Sequence, residues 1–179
     1  MTERLFTPPH DPSISDGTPL VFLAGPVQGA PNWQSPLANR LLEARADIAI
    51  ASPRRTPVDQ LAFNADEQVA WELRTRERAR KFGVTAFWWA AQDLTDDSYP
   101  VGRAYGQTSR IEFGEAIGWL HYEPDLPLVV GFDPEYTNAG GGSEGYMRKV
   151  LKHYGVRVHD SIEELAEEIL NKMPDHKDL

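Results

Sequence analysis

Five short apolar runs, each followed by a segment of helical period, constrain this chain most. The runs are residues 20–24, 48–51, 84–90, 126–132 and 156–158. Runs this short, with little polar alternation, read as strands covered on both faces, as in a parallel sheet. Between and after them lie candidate helices over residues 32–44, 64–82, 108–120 and 144–153, and a last one after Ser161. Phe113, Ala116, Ile117 and Leu120 recur at i, i+3, i+4 and i+7, which makes one buried helix face. Asn64 with Glu67, and Ser161 with Glu164, have capping-box spacing.

Such alternation predicts an α/β fold: a three-layer αβα sandwich around a doubly wound, flavodoxin-like parallel sheet of about five strands. With 179 residues and no internal repeat, the chain suits one domain, residues 19–179. Residues 1–18 are rich in Pro, Ser and Asp without periodicity, and read as a flexible arm or a strap over the surface. No apolar run approaches the ~20 residues of a membrane span, and the start lacks a signal-peptide pattern, so a cytoplasmic protein without membrane association is expected. The chain has no cysteine, which excludes disulfides, zinc–thiolate sites and cysteine nucleophiles. A formal net charge of -9 argues against a nucleic-acid polymer as partner. It leaves room for a small nucleotide held by one or two local cations.

In open α/β sheets ligands bind beyond the carboxyl ends of the strands. That edge should hold the Gly25-Pro26 turn, the Arg54-Arg55 loop, Asp93 and the helix opened by Thr108 and Ser109. Gly25 would let a ligand approach the backbone, or simply make a turn. Arg54 and Arg55 read as anion ligands or as a solvated pair on the rim. Trp33 lines the pocket or packs. The loop with Asp96, Asp97, Pro100 and Gly102 is a lid or an idle surface loop. No Gly-x-Gly-x-x-Gly and no P-loop signature is present. Arg74, Arg76, Glu77, Arg78, Arg80 and Lys81 look like an exposed helix face with i,i+3 and i,i+4 pairs, to which Glu72 can belong.

Glu112 has two readings. With Ser109 three residues earlier it completes a capping box. Alternatively it is a catalytic carboxylate, kept ionised by the helix N-terminus as a nucleophile requires.

The pieces Val21-Phe22-Leu23-Ala24-Gly25-Pro26, Gln68-Val69-Ala70-Trp71-Glu72, Ala86-Phe87-Trp88-Trp89 and the run from Thr108 to Gly118 occur in this order. Together they resemble the nucleoside 2-deoxyribosyltransferase-like family over most of residues 20–130. The resemblance implies attack on an N-glycosidic bond through a covalent glycosyl-enzyme, without metal or redox cofactor. It implies Glu112 as nucleophile and Glu72 as the acid that handles the nucleobase proton, with a pKa raised by burial beside Trp71. It makes Gly25 and Pro26 the border of the pocket, and Thr108, Ser109 and Arg110 substrate neighbours. Arg110 would meet a phosphate, or else pair with Glu115. Asp93 is a sugar or base contact by topology. The expected partner is a nucleoside or nucleotide, and a homo-oligomer completes the pocket, with Asn138 as a candidate contact. Two departures stand out: Gly106 replaces an aspartate six residues before the nucleophile, and Phe22 replaces a first-strand tyrosine. They leave open base exchange, nucleotide hydrolysis, or nucleotide sensing without turnover.

Overall fold

The structure is a computed structural model and describes residues 4–15, 17–97, 99–136 and 143–174. Its strands are β1 (Leu5–Phe6), β2 (Leu20–Ala24), β3 (Ala49–Ala51), β4 (Gly83–Trp89), β5 (Leu128–Phe132) and β6 (Val158–His159). The helices are α1 (Gln34–Ala44), α2 (Pro57–Gln60), α3 (Ala65–Phe82), α4 (Gln107–Tyr122), α5 (Ser143–His153) and α6 (Ile162–Lys172). The strands form one sheet in the order β1-β3-β2-β4-β5-β6, and every pairing is parallel. Without β1 this is the five-stranded flavodoxin-like order. The sixth strand comes from the N-terminal segment, whose two-residue apolar pair is too short to show a period.

Alternation along the central strands sorts the side chains into two layers. Val21, Leu23, Ile50, Val84, Ala86 and Val129 pack with Leu37, Leu41, Leu165 and Ile169 of α1 and α6. Phe22, Phe87, Trp89, Val130 and Phe132 pack on the other face with Trp71, Phe113, Ala116 and Leu151 of α3, α4 and α5. Aromatic residues dominate this second face. Phe113 meets Phe87 and Trp89 edge-on, with centroids 5.5 Å and 5.8 Å apart. That packing seats the first turns of α4 over the carboxyl ends of β4 and β5.

The strands β2 and β4 are in register from Leu20↔Gly83 to Ala24↔Phe87. Gly25 follows at once, with φ +138°, and a Cβ there would lie 2.2 Å from the Trp88 carbonyl oxygen. A side chain is excluded by both conformation and space. The turn is therefore a close backbone approach between two strands, whether or not a ligand also uses it.

Residues 4–15 follow the strap reading. Leu5 and Phe6 pair with Ile50 and Ala51. The segment then crosses α3, where Trp71 Nε1 donates to the His10 carbonyl at 2.9 Å and Arg78 Nη2 to the Ser15 carbonyl at 2.7 Å. Arg74 pairs with Asp11 at 2.9 Å. The charged face expected on α3 is thus only partly a set of internal pairs. Glu77 does pair with Arg80 and Lys81, whereas Arg74 and Arg78 hold the strap and Arg76 turns inward. Asn138 and the glycines at 140–142 lie outside the described residues.

Candidate active site

Helices α3 and α4 lie on the same sheet face, and each brings one carboxylate to their junction. On α3, Gln68, Glu72 and Arg76 are spaced by four and so stand in one row. On α4, Thr108 and Glu112 are likewise four apart, with Glu115 three further on. The two rows meet with Glu112 and Glu72 within hydrogen-bonding reach of each other, and Arg76 and Glu115 close enough to act on Glu112 electrostatically. Both residues are half-buried.

The cap of α4 is not the one the spacing predicts. Helix α4 starts after Gly106, which has φ +64° and serves as N-cap without a side-chain hydrogen bond. Ser109 is buried at 4 % exposure, inside the helix. Glu112 therefore sits in the second turn and closes no capping box. Its side chain is free of that duty and is turned to α3.

Nor is Glu112 held ionised by the helix end. Burial pushes its pKa up, the neighbouring Glu72 charge and their hydrogen bond push it further, and Glu115 adds to this. Arg76 opposes, and the balance is a value pushed up to about 8. Two carboxylates in contact cannot both ionise cheaply, so near neutral pH the pair holds one proton and one negative charge. The raised pKa is that of Glu112.

Arg76 is buried, with its side chain 7 % exposed, and its Nη1 lies 2.8 Å from Glu115 Oε2. Neither Nη1 nor Nε makes an aligned hydrogen bond among the described residues. The pairing with Glu115 is therefore mainly electrostatic, and the guanidinium remains a fixed positive charge beside the carboxyl pair.

The other expected site residues distribute around this junction. Pro26 lies against Gly106, whose added Cβ would come 3.2 Å from Pro26 Cγ. The Pro26 carbonyl accepts from Trp33 Nε1 at 2.9 Å, so Trp33, 4 % exposed, packs. Thr108 is exposed one turn before Glu112 on the same side. Arg110 lies two residues from Glu112, on a different face of α4, and its Nη2 reaches the Tyr136 hydroxyl at 3.3 Å. Among the described residues Glu115 pairs with Arg76.

Asp93 stands apart from the carboxyl pair. Its Oδ1 accepts from Thr95 Oγ1 at 2.6 Å and from the Thr95 amide at 2.9 Å. Those bonds hold its carboxyl below the usual range. It lines a shallow cavity of about 330 Å³ in the loop between β4 and α4, with Tyr99, Arg103 and Tyr105. A second cavity, about 230 Å³, lies near Arg54 and Ser35. Neither is lined by Glu72 or Glu112. At the α3–α4 junction, by contrast, the two carboxyls meet beside the buried Arg76.

Arg54 and Arg55 are not a solvated rim pair. Arg54 Nη2 donates to the Val27 and Ala30 carbonyls at 3.0 Å and 3.1 Å, and its Nε to Gln34 Oε1 at 2.9 Å. It binds the β2–α1 loop. Arg55 meets a carboxylate of its own chain, Glu67, at 3.0 Å.

Sequence reasoning missed Gln68 and Arg76. The signal was present: both lie four residues from Glu72. A row of Gln, Glu and Arg at that spacing reads equally well as a solvated face, and only the docking of α4 buries it. Among the described residues no cluster of His, Asp or Glu could hold a metal ion. No described helix is long and apolar enough to cross a membrane.

No curated protein matches the chain. Residues 18–115, more than half of its length, match the family described as nucleoside 2-deoxyribosyltransferase like, and the match spans both Glu72 and Glu112. The chain belongs to the nucleoside 2-deoxyribosyltransferase-like family.

Proposed function

We propose that this protein cleaves the N-glycosidic bond of a nucleoside or nucleotide and passes the sugar to a second base or to water. The observation that carries this reading is the contact between the Glu112 and Glu72 carboxyls beside the buried Arg76. Glycosyl transfer through a covalent intermediate needs one carboxylate to attack the anomeric carbon and one acid to protonate the leaving base. A pair that holds one charge and one proton supplies both.

In this reading the proton resides on Glu72 when the bond breaks, and Glu112 is the anion. Glu112 forms a bond to the anomeric carbon while the glycosidic electron pair leaves with the base nitrogen. The proton of Glu72 goes to that nitrogen. Glu112 is now an ester and Glu72 an anion, so the net charge of the pair is unchanged. In the second half Glu72 takes a proton from the incoming base or water, which attacks the anomeric carbon and releases Glu112. Arg76 stabilises whichever carboxylate carries the charge. Gly25 and Pro26 border the site, and Thr108 and Ser109 open the helix that carries the nucleophile. Arg110 and Asp93 are outer contacts for a phosphate and for the sugar or base.

Gly106 and Phe22 favour a second reading. The aspartate and tyrosine that hold a deoxyribose in relatives are absent at these positions, and Phe22 is fully buried with its ring centroid 6.2 Å from that of Trp71. Hydrolysis of a nucleotide, or nucleotide sensing without turnover, then replaces base exchange. A homo-oligomer and a cytoplasmic setting remain part of the proposal; sedimentation of the purified chain tests the first.

The test is liquid chromatography of nucleosides and 5′-nucleotides incubated with the protein, with and without a second free base. Exchange product supports transfer, and free sugar alone supports hydrolysis. Binding without base release from any substrate leaves the sensor reading.

A further inference from the structure

Gln68 takes no part in the steps above, yet it is the most tightly held polar side chain beside them. Its Nε2 donates to Glu72 Oε1 at 2.8 Å and to the Pro53 carbonyl at 3.0 Å. Its Oε1 accepts from Arg55 Nε at 2.8 Å. Arg55 is fixed in turn, with its side chain 2 % exposed and paired to Glu67. Arg55 Nη1 donates to the Asp59 carbonyl at 3.3 Å, and Phe63 covers the guanidinium at 5.4 Å.

Arginine only donates, so the amide oxygen of Gln68 must face it. Both amide hydrogens are then directed at acceptors, one of them Glu72. A donor fixed on a carboxyl oxygen favours the ionised form of that carboxyl. Among the described residues no such donor meets Glu112, which faces Glu72 and Arg76 from α3 and Glu115 from α4. Arg76 draws Glu112 toward the anion, and Gln68 draws Glu72 the same way.

We propose that Gln68, locked in orientation by Arg55, is a positioning residue that keeps Glu72 the ionised member of the pair and so places the shared proton on Glu112 in the free protein. Its catalytic meaning rests on the glycosyl-transfer reading. The nucleophile is stored protonated, and its proton crosses the shared hydrogen bond to Glu72 when substrate binds. One carboxyl loses what the other gains, so the step leaves the charge of the pair unchanged.

Carboxyl-carbon NMR titration of the full chain, with glutamate labelled at Cδ, tests this without substrate. Glu112→Gln and Glu72→Gln assign the two signals. In the parent, the proton step near pH 8 should be read on Glu112. Gln68→Met removes the donor at similar size. It should move part of the amplitude of that step from Glu112 onto Glu72. Gln68→Glu keeps an acceptor for Arg55 but sets a carboxylate against Glu72, and should move more of the amplitude the same way. If Gln68→Met does not fold, Gln68→Glu decides.

A parent step read on Glu72 overturns the proposal. So does an unchanged split between the two carboxyls in the folded variants, even with a lower melting temperature, because that is the mark of a purely structural glutamine. Base release measured on the same samples separates the two claims. A Glu112 step with no release from any substrate sinks glycosyl transfer but leaves the proton placement standing; release with the step on Glu72 does the reverse.

Discussion

Glu112 gives up stability to the extent that it is charged. Its folded pKa of about 8 stands above the ordinary value of 4.5. Between those values the folded chain binds more protons than the unfolded one, so stability falls as pH rises. The contribution is fully present below about pH 4.5 and lost as pH passes through about 8. Glu112→Gln keeps the shape and removes the charge. Its melting temperature should exceed the parent's at pH 9 and match it near pH 4.5, and for a chain this size each kcal/mol moves it by roughly 2–4 °C. Thermal melts at the two pH values check this; an equal difference at both would mean that Glu112 carries no buried charge. Arg76→Met removes the one cation that opposes the upward shift. It should raise the proton step of Glu112, read by the same carboxyl-carbon titration, and a step that stays or falls would contradict the assignment of Arg76.

At the scale of elements, the beginning of α4 decides where Glu112 points. Gly106 holds φ +64°, and a side chain there strains the backbone by roughly 1–2 kcal/mol. It also crowds Pro26. Gly106→Ala should lower stability by about that amount in urea titration, and unchanged stability would remove the strain argument. Sequence reasoning located the helix and its carboxylate but set the cap three residues late. Ser109 and Glu112 have the spacing of a capping box, and spacing alone does not show that Ser109 is buried. The strap is similar. Leu5 and Phe6 carry too few residues to reveal a strand, and their pairing partners Ile50 and Ala51 lie far along the chain. Deleting residues 1–15 removes β1 and the Trp71 hydrogen bond to His10. The truncated chain should melt at a lower temperature with red-shifted tryptophan emission, and unaltered melting would make the strap decorative.

Across the whole molecule, the parallel sheet was legible because its central strands are apolar runs bounded by Gly, Pro or Asp, and each is followed by a periodic helix. The buried network was not. Gln68, Glu72 and Arg76 look like one side of a solvated helix until α4 covers them, and Arg54 and Arg55 look like rim charges until the β2–α1 loop and Glu67 come to meet them. Long-range contacts of this kind leave no local period in the sequence. The resemblance supplied Glu72 and Glu112; the fold brings them into contact. The most direct measurement of that claim is the pH dependence of base release for the parent, Glu112→Gln and Glu72→Gln. If one proton shared by the pair drives the chemistry, release by the parent should fall above about pH 8. Glu112→Gln should lose most of it, and Glu72→Gln should lose on the order of 10²–10⁴-fold where the leaving base needs a proton. Release that continues unchanged through pH 9, or that survives in a folded Glu112→Gln protein, would contradict the account.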